Sequence, residues 1–384
     1  MRSLLLAASF PPAAGGVETL LYATNRRLAE PPLVLAPAPA AAPDICVRAI
    51  DTSPAAKLAY RPLWRLHPSL HYLQTFFVPT LRAARAWRPE VIQAGHVYMA
   101  PLARLTARRL RIPYVVYAYG QEVWRGGRAV GVRRLDNWLR GGALQAASRV
   151  LVPGSFTAGL LRDWDVGCER IVQVPYGADP RPQAPPPTGT SLLTVGRLVP
   201  RKGVDVVVRA LRRLPTHVAY RVVGSGPDLA RLRQLAADEG VAGRVAFLGR
   251  IDADRLAEEY QRCAIYVQPS RRTADGQLEG YGLVYFEAAA WGRPVIAGRS
   301  GGEVDAVVDG TTGVLVDGAS VDAVTSAISS LLLDTERMAR LGAAGRHRVE
   351  TTHNWTRAAA VVDAALVGLA LPLPLGEALS RGEG

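Results

Sequence analysis

Lysine, cysteine and long apolar runs are scarce in this chain. Of its 46 Lys and Arg residues only Lys57 and Lys202 are lysine, and its 3 cysteines lie far apart, at Cys46, Cys168 and Cys263. This number and spacing predict neither a disulfide framework nor a zinc site. No apolar stretch reaches the roughly 20 residues of a transmembrane helix. Small disulfide-stabilised, zinc-binding and helical membrane proteins are therefore excluded.

Length and charge distribution narrow the choice further. A chain of 384 residues with 49% hydrophobic composition suits two α/β domains better than one core. Residues 1–180 carry 22 basic and 11 acidic side chains, and residues 181–384 carry 24 and 22. The net charge of +13 therefore lies mostly in the first half. This excess favours an anionic partner for that half, such as a membrane surface, a lipid phosphate or a nucleic acid.

Apolar runs of strand length alternate with helical spacing in both halves of the chain, which predicts α/β folding around parallel sheets. Between the halves, the proline-rich segment from Asp179 to Pro187 cannot continue a helix or a central strand, and it predicts a stiff linker. We expect a first Rossmann-like domain at 1–179, a linker at 180–190 and a second Rossmann-like domain at 191–352. A helix at 353–370 that packs back towards the first domain and a tail at 371–384 would follow.

The most informative motif joins two carboxylates, Glu279 and Glu287, eight positions apart. Gly280 and Gly282 lie between them, where a helix is expected to begin near Leu283. Glycines let the backbone approach a ligand closely, and a helix N-terminus attracts an anion. Glu287 falls about one turn into the helix, where its carboxylate can accept hydrogen bonds from two vicinal hydroxyls. Surface glutamates alone would not explain the glycine pair.

A second motif is the basic loop that follows an expected strand ending at Gly196. Arg197 and Lys202 leave this loop at the carboxyl end of the strand, where open α/β sheets bind ligands. A guanidinium and an ammonium suit a diphosphate. The lysine is unusual in so arginine-rich a chain.

Weaker signals come from loops that follow other expected strands. Gly301 and Gly302 predict an anion-binding turn, and Gly16 predicts a close-approaching wall on the first domain. His96 and Tyr119 follow expected strands of the first half. Gly224 and Gly226 resemble a dinucleotide fingerprint that lacks its third glycine, and Arg250 follows a later strand. Asp252 and Asp254 mimic a metal-binding Asp-x-Asp, but their place before a helix favours capping.

The segment from Glu279 to Glu287 resembles the Glu-x7-Glu signature of the family 4 retaining glycosyltransferases, and the residues before it resemble the phosphatidylinositol mannosyltransferase and exopolysaccharide branches. The resemblance runs from Phe10 to about Trp355. It implies the GT-B fold, in which two Rossmann-like domains face each other across a cleft. Tyr119 departs from the family, because relatives often carry histidine there.

The resemblance also implies roles. We expect three catalytic residues. Arg197 and Lys202 would hold the donor diphosphate, and Glu279 would contact the transferred sugar. Glu287 is expected at the ribose, and His96 at the acceptor. The other expected donor-binding positions are Gly16, Tyr119, Gly224, Gly226, Arg250, Gly280, Tyr281, Gly282, Leu283, Val284, Gly301 and Gly302.

The expected activity is transfer of a hexose, with mannose favoured, from a GDP- or UDP-linked donor. The anomeric configuration would be retained, and neither a metal nor another cofactor would be required. The acceptor would be a glycan or a lipid-linked molecule. The enzyme would be cytoplasmic and peripheral at the inner face of the membrane, without a nucleic-acid partner. A sugar-nucleotide epimerase of the same architecture is the main alternative. The incomplete glycine fingerprint disfavours a nicotinamide oxidoreductase, and a non-catalytic binder would leave the paired glutamates unexplained.

Overall fold

The computed structural model describes residues 1–13, 15–50, 67–124, 135, 137–182 and 189–369. Its first half forms a parallel sheet of seven strands in the order β3-β2-β1-β4-β5-β6-β7. The strands are β1 (Ser3–Leu6), β2 (Leu33–Pro37), β3 (Val47–Ile50), β4 (Val91–Ala94), β5 (Tyr114–Tyr117), β6 (Arg149–Val152) and β7 (Ile171–Gln173). The strand order reverses between β1 and β4, which is where a doubly wound sheet opens a crevice at its carboxyl edge.

The second half repeats this plan with six parallel strands in the order β10-β9-β8-β11-β12-β13. Its crevice lies between β8 and β11. The strands are β8 (Ser191–Val195), β9 (Ala219–Val223), β10 (Val245–Gly249), β11 (Ile265–Gln268), β12 (Val295–Ala297) and β13 (Gly313–Leu315). The predicted α/β class with two parallel sheets is confirmed.

Helices connect the strands. In the first half they are α1 (Gly16–Asn25), α2 (Pro68–Trp87), α3 (Ala100–Leu110), α4 (Gly142–Gln145) and α5 (Ser155–Arg162). In the second half they are α6 (Val204–Leu211), α7 (Leu229–Asp238), α8 (Ala253–Arg262), α9 (Leu283–Ala290), α10 (Glu303–Ala306), α11 (Val321–Leu333), α12 (Thr335–Thr351) and α13 (Trp355–Val367). None of the helices in the described ranges is long and apolar enough to cross a membrane.

The central strands are apolar on both sides because helices cover both faces of each sheet. Leu4, Leu5 and Leu6 of β1 are all fully buried, as are Ile265 and Val267 of β11. This continuous burial explains why the strands appear in the sequence as unbroken apolar runs rather than as alternating patterns.

The last helix returns to the first half of the chain. The Ala29 amide donates to Asp363 Oδ2 of α13 at 2.8 Å, and the Trp355 and Tyr176 rings lie 6.4 Å apart. Arg27 also donates to both carboxylate oxygens of Asp179, at 2.8 and 3.0 Å. Residues 183–188 of the expected linker and the tail from residue 370 onward lie outside the described residues.

Candidate active site

Most of the predicted donor-site residues follow strands of the second sheet at its carboxyl edge. The basic loop follows β8, Gly224 and Gly226 follow β9, and Arg250 follows β10. The Glu279 segment follows β11, and the Gly301–Gly302 turn follows β12. Because these strands are parallel neighbours, their loops meet at one edge of the sheet.

The basic loop and the first glutamate are in direct contact. Pro200–Lys202 forms a single 3-10 turn after β8. Lys202 Nζ lies 2.6 Å from Glu279 Oε2, and Arg201 Nη1 lies 2.8 Å from the same oxygen. Ser270 Oγ lies 3.4 Å from Glu279 Oε2 as well. These three donors all reach the same carboxylate oxygen, Oε2.

Burial and charge act against each other in this cluster. Glu279 is 6% exposed and Lys202 is 8% exposed. Burial raises the pKa of Glu279, but the charges of Lys202 and Arg201 outweigh it and lower that pKa to about 2. Burial lowers the pKa of Lys202, and Glu279 opposes this shift. The carboxylate is therefore ionised at neutral pH, and it compensates two cations that would attract a diphosphate.

The backbone around Glu279 brings the two halves of the chain together. A Cβ on Gly280 would lie 2.7 Å from the Tyr119 carbonyl oxygen, so only glycine permits this approach. Gly282 has φ 87° and precedes α9, whose first residue is Leu283. A Cβ on Gly16 would lie 4.0 Å from Leu283 Cδ1. The predicted wall at Gly16 therefore faces the start of α9.

Glu287 lies in the second turn of α9, and Tyr260 of α8 fixes its carboxylate by a hydrogen bond. The Tyr260 hydroxyl donates to Glu287 Oε2 at 2.7 Å. Burial raises the pKa of Glu287 above its usual value. This hydrogen bond and the charges of Arg181 and Lys202 offset only part of that rise. Lys202 is thus close enough to influence both glutamates. That Lys202, Glu279 and Glu287 bind one donor stays a prediction.

The loops after β9 and β10 pack beside the basic loop. The Leu198 amide donates to the Ser225 carbonyl oxygen at 3.0 Å, and the Gly224 amide donates to the Gly249 carbonyl oxygen at 2.7 Å. Arg250 Nε donates to Ser225 Oγ at 3.1 Å. This arrangement forms a main-chain wall next to Gly196, at the expected donor-binding positions Gly224, Gly226 and Arg250.

The Gly301–Gly302 turn is hydrogen-bonded to the backbone of Glu279. The Gly302 amide donates to the Glu279 carbonyl oxygen at 2.9 Å, and the Ser300 amide donates to Glu303 Oε1 at 2.6 Å. Two of the amides that would form the expected anion-binding turn are therefore used within the protein. A contact between this turn and a donor stays a prediction.

His96 follows β4 and Tyr119 follows β5, both at the carboxyl edge of the first sheet. The Tyr119 hydroxyl donates to the Gly95 carbonyl oxygen at 2.9 Å, so its proton is already used within the protein. His96 stacks on Tyr98 at 5.1 Å and lies 6.1 Å from Tyr119. Its Nδ1 accepts the Tyr98 amide proton at 3.3 Å. The proton of the neutral ring is therefore on Nε2, and burial lowers the pKa of the imidazole.

Two predicted donor-site residues, Arg197 and Tyr281, have surroundings that leave their donor roles as predictions. Arg197 is exposed, and Arg201 rather than Arg197 forms the described ion pair with Glu279. Arg201 was missed because the loop's 3-10 turn, which brings positions 201 and 202 to the same carboxylate, leaves no periodic signal. Tyr281 is 6% exposed, and its hydroxyl donates to the Tyr176 carbonyl oxygen at 2.9 Å. This side chain joins the two halves of the chain, and donor binding by Tyr281 stays a prediction.

The Asp-x-Asp segment has the capping role that its position predicted. Asp252 Oδ1 accepts the Arg255 amide proton at 2.8 Å at the start of α8. Within the described ranges no group of three or more His, Cys, Asp or Glu side chains is arranged to hold a metal ion. Metal independence itself stays a prediction.

Two family models together cover most of the chain. Residues 178–348 match the model for glycosyl transferases group 1, and residues 14–181 match the model for glycosyltransferase family 4. A GDP-mannose-dependent alpha-(1-6)-phosphatidylinositol monomannoside mannosyltransferase from Mycolicibacterium smegmatis is 36% identical over 294 residues, which are 74% of this chain and 72% of that protein. The chain belongs to the family 4 glycosyltransferases. It is thus a transferase enzyme.

Other relatives show how widely the family varies. The glycogen synthase of Mycobacterium tuberculosis is 30% identical over 308 residues, which are 76% of this chain and 72% of that protein. Among solved structures, Anabaena HepE in complex with UDP-glucose has a TM-score of 0.78 at 19% identity, covering 96% of this chain and 100% of that one. This likeness supports the GT-B fold. Membership of the family alone does not select the acceptor.

Proposed function

We propose that this enzyme transfers a hexose, with mannose favoured, from a nucleotide diphosphate donor to a membrane-associated or saccharide acceptor, with retention at the anomeric carbon and without a metal. The observation that carries the proposal is the cluster of Lys202, Arg201 and Glu279 beside Glu287 at the carboxyl edge of the second sheet. Two cations and two carboxylates in one cleft complement a ligand with a diphosphate and two sets of hydroxyls.

The donor would lie along this edge of the second sheet. Lys202 and Arg197 would hold the diphosphate, and Arg201 would join them once the donor displaces its contact with Glu279. Glu279 would accept a hydroxyl of the transferred sugar through Oε1, while Glu287 would bind the ribose. The base would pack at residues 223–226 and 249–250.

The reaction breaks the bond between the anomeric carbon and the phosphate oxygen. The acceptor oxygen bonds to the same carbon from the same face, and its proton passes to the leaving phosphate oxygen. No side chain is therefore assigned as nucleophile. The basic loop serves the reaction by stabilising the negative charge that builds on the diphosphate as this bond breaks.

The acceptor would be met by the first domain. His96 Nε2–H and the Tyr98 ring border the cleft beside Tyr119. Contact between the domains at Gly280 and Tyr119 excludes water from the reacting atoms and limits hydrolysis of the donor.

A basic face on the first domain supports an anionic membrane partner. Helices α2 and α3 pack together and contain no Asp or Glu. Their outer side exposes Val78 and Leu105. The exposed basic residues beside them are Arg82, Arg85, Arg88, Arg108, Arg109 and Arg111. Basic and apolar groups together favour peripheral attachment to anionic lipid, which would place the enzyme at the cytoplasmic face of the membrane.

Donor binding and product analysis test this function. We expect a GDP- or UDP-sugar to raise the melting temperature, and GDP-mannose to give the largest shift. Mannosyl transfer should persist in EDTA, and the product should keep the donor's anomeric configuration by NMR. Epimerised nucleotide sugar formed without an acceptor would contradict the proposal and support the epimerase. No structural observation favours that alternative.

A further inference from the structure

Helix α5 of the first half receives its N-terminal cap from the second half of the chain. Its N-cap position is Gly154, which has no side chain to supply a cap. Instead, Asp305 of α10 accepts the Phe156 amide proton through Oδ2 at 2.8 Å, and its Oδ1 accepts the Ser155 hydroxyl proton. One carboxylate thus satisfies two donors at the positive end of a helix that belongs to the opposite sheet.

The fit is close enough to require glycine for space. A Cβ on Gly154 would lie 2.4 Å from Asp305 Oδ2. Its φ of −177° is extended backbone that any residue adopts, so conformation does not explain the glycine. The absent side chain is what lets the carboxylate of Asp305 reach the helix.

Asp305 is also held firmly from its own side. Arg348 of α12 donates to the Asp305 carbonyl oxygen and to the Ala306 carbonyl oxygen, each at 2.7 Å. The guanidinium also lies 5.4 Å from the centre of the Phe286 ring of α9. The carboxylate therefore projects from a segment tied to the helix that carries Glu287.

This contact lies next to the seam at the active site. Gly302, three positions before Asp305, donates its amide proton to the Glu279 carbonyl oxygen. On the other side, a Cβ on Gly120 would lie 3.3 Å both from Thr157 Oγ1 of α5 and from Gly280 Cα. Holding α5 against α10 therefore also holds Gly280 against Tyr119 and Gly120.

We propose that Asp305 is a positioning residue: by capping α5 across the cleft, it holds the two domains in the closed arrangement that brings the Glu279 segment to the wall formed by Tyr119 and Gly120. Without this cap the closed arrangement is less populated. If the donor binds the closed arrangement, its apparent affinity falls in proportion to that population. The effect on closure stands on the contacts alone, whereas the effect on transfer rests on the proposed function.

Four variants test this role. Asp305→Ala removes both acceptors, and Gly154→Ala blocks the contact from the other domain. Asp305→Asn is the conservative rescue, because its amide oxygen can accept the Phe156 proton while its NH2 donates to Ser155 Oγ. Asp309→Ala is the matched control, because Asp309 is exposed and its hydrogen bonds among the described residues lie within the second domain, to Arg299 and the Leu315 amide.

The measurements are small-angle X-ray scattering of the donor-free protein and donor KM and kcat. Asp305→Ala and Gly154→Ala should both increase the radius of gyration and raise donor KM by up to about five-fold, the factor that matches loss of a typical helix cap, with a smaller change in kcat. Asp305→Asn and Asp309→Ala should stay near the wild type. Scattering from Asp305→Ala and Gly154→Ala that matches the Asp309→Ala control would overturn the inference.

Failure of the proposed function would look different. If the scattering responds as expected but the wild-type protein transfers no sugar from any nucleotide donor, the proposed activity is wrong and the closing role of Asp305 stands.

Discussion

Lys202 Nζ and Glu279 Oε2 lie 2.6 Å apart, so the basic loop and the first glutamate of the paired motif are ion-paired in the protein without donor. Arg201 shares the same oxygen at 2.8 Å. In the proposed function, a diphosphate arriving at this site would compete with a carboxylate for two cations. The ion pairs keep the buried charges compensated without the donor, and the exchange would free the cations for the leaving group.

Replacing Lys202 tests its role at the leaving group. Because Arg201 still pairs with Glu279, Lys202→Ala should fold normally. We expect kcat to fall by about 10²–10³-fold, as for removal of one preorganised group that stabilises developing negative charge. Steady-state kinetics and circular dichroism measure the two effects. Arg212→Ala, whose side chain is 72% exposed on the same domain, is the control. A folded Lys202→Ala variant with a normal kcat would remove the lysine from the mechanism.

The ion pair should also appear in the stability of the protein at acid pH. The pKa of Glu279 falls from 4.5 to about 2 on folding, so the unfolded chain binds the proton more readily. The stabilisation is therefore complete above about pH 4.5 and is lost as the pH falls towards 2. Melting temperatures of the wild type and Glu279→Gln should differ by a constant amount above this window and converge within it. A difference that does not depend on pH in this window would contradict the assignment.

Tyr260 should affect binding of the donor more than its chemistry. Tyr260→Phe removes the hydrogen bond that fixes Glu287 Oε2, so the carboxylate is no longer held for two vicinal hydroxyls. We expect donor KM to rise about ten-fold or more, since a hydrogen bond to a charged group contributes about 1.5–3 kcal/mol, while kcat changes less. Tyr220→Phe removes another buried hydroxyl bond in the same domain, to Thr194 Oγ1, and should leave KM unchanged. Equal effects of the two variants would count against the role of Tyr260.

The basic face of α2 and α3 makes a prediction about membranes. Reversing two exposed charges with Arg85→Glu and Arg108→Glu should weaken binding to anionic vesicles by more than about ten-fold, because each basic residue near such a surface contributes about 1 kcal/mol. Vesicle flotation at two salt concentrations measures this. The matched control reverses Arg212 and Arg233 on the second domain. Unchanged flotation of the α2/α3 variant, or equal loss in the control, would place the membrane contact elsewhere.

The sequence predicted the parts of the fold that depend on unbroken apolar runs. Strands such as β1 and β11 are buried on both faces, and their position follows from hydrophobicity alone. Strand β2 follows Pro32 and ends at Pro37, and α2 contains Pro79, so both contradict simple local rules and were not predicted. Apolar spacing over residues 132–147 predicts one helix, which lies partly outside the described residues. Its described part is a π turn at Asn137–Gly141 followed by the short α4.

The candidate site divides in the same way. Lys202, Glu279 and Glu287 could be predicted as site residues because glycines and strand ends surround them in the sequence. Arg201, Tyr260 and Asp305 act through contacts with residues at least 27 positions away, such as Tyr260 with Glu287, and no local pattern reveals such pairs. Tyr281 lies inside the motif, so the sequence predicted a donor contact for it. The sequence could not predict that its hydroxyl donates to the Tyr176 carbonyl oxygen.

A crystal structure with the nucleotide sugar that gives the largest thermal shift tests the central claim most directly. We expect the diphosphate within hydrogen-bonding distance of Lys202 Nζ, the ribose hydroxyls on Glu287, and the sugar at Glu279. A nucleotide sugar bound away from these three side chains, with the ion pair between Lys202 and Glu279 undisturbed, would contradict the account.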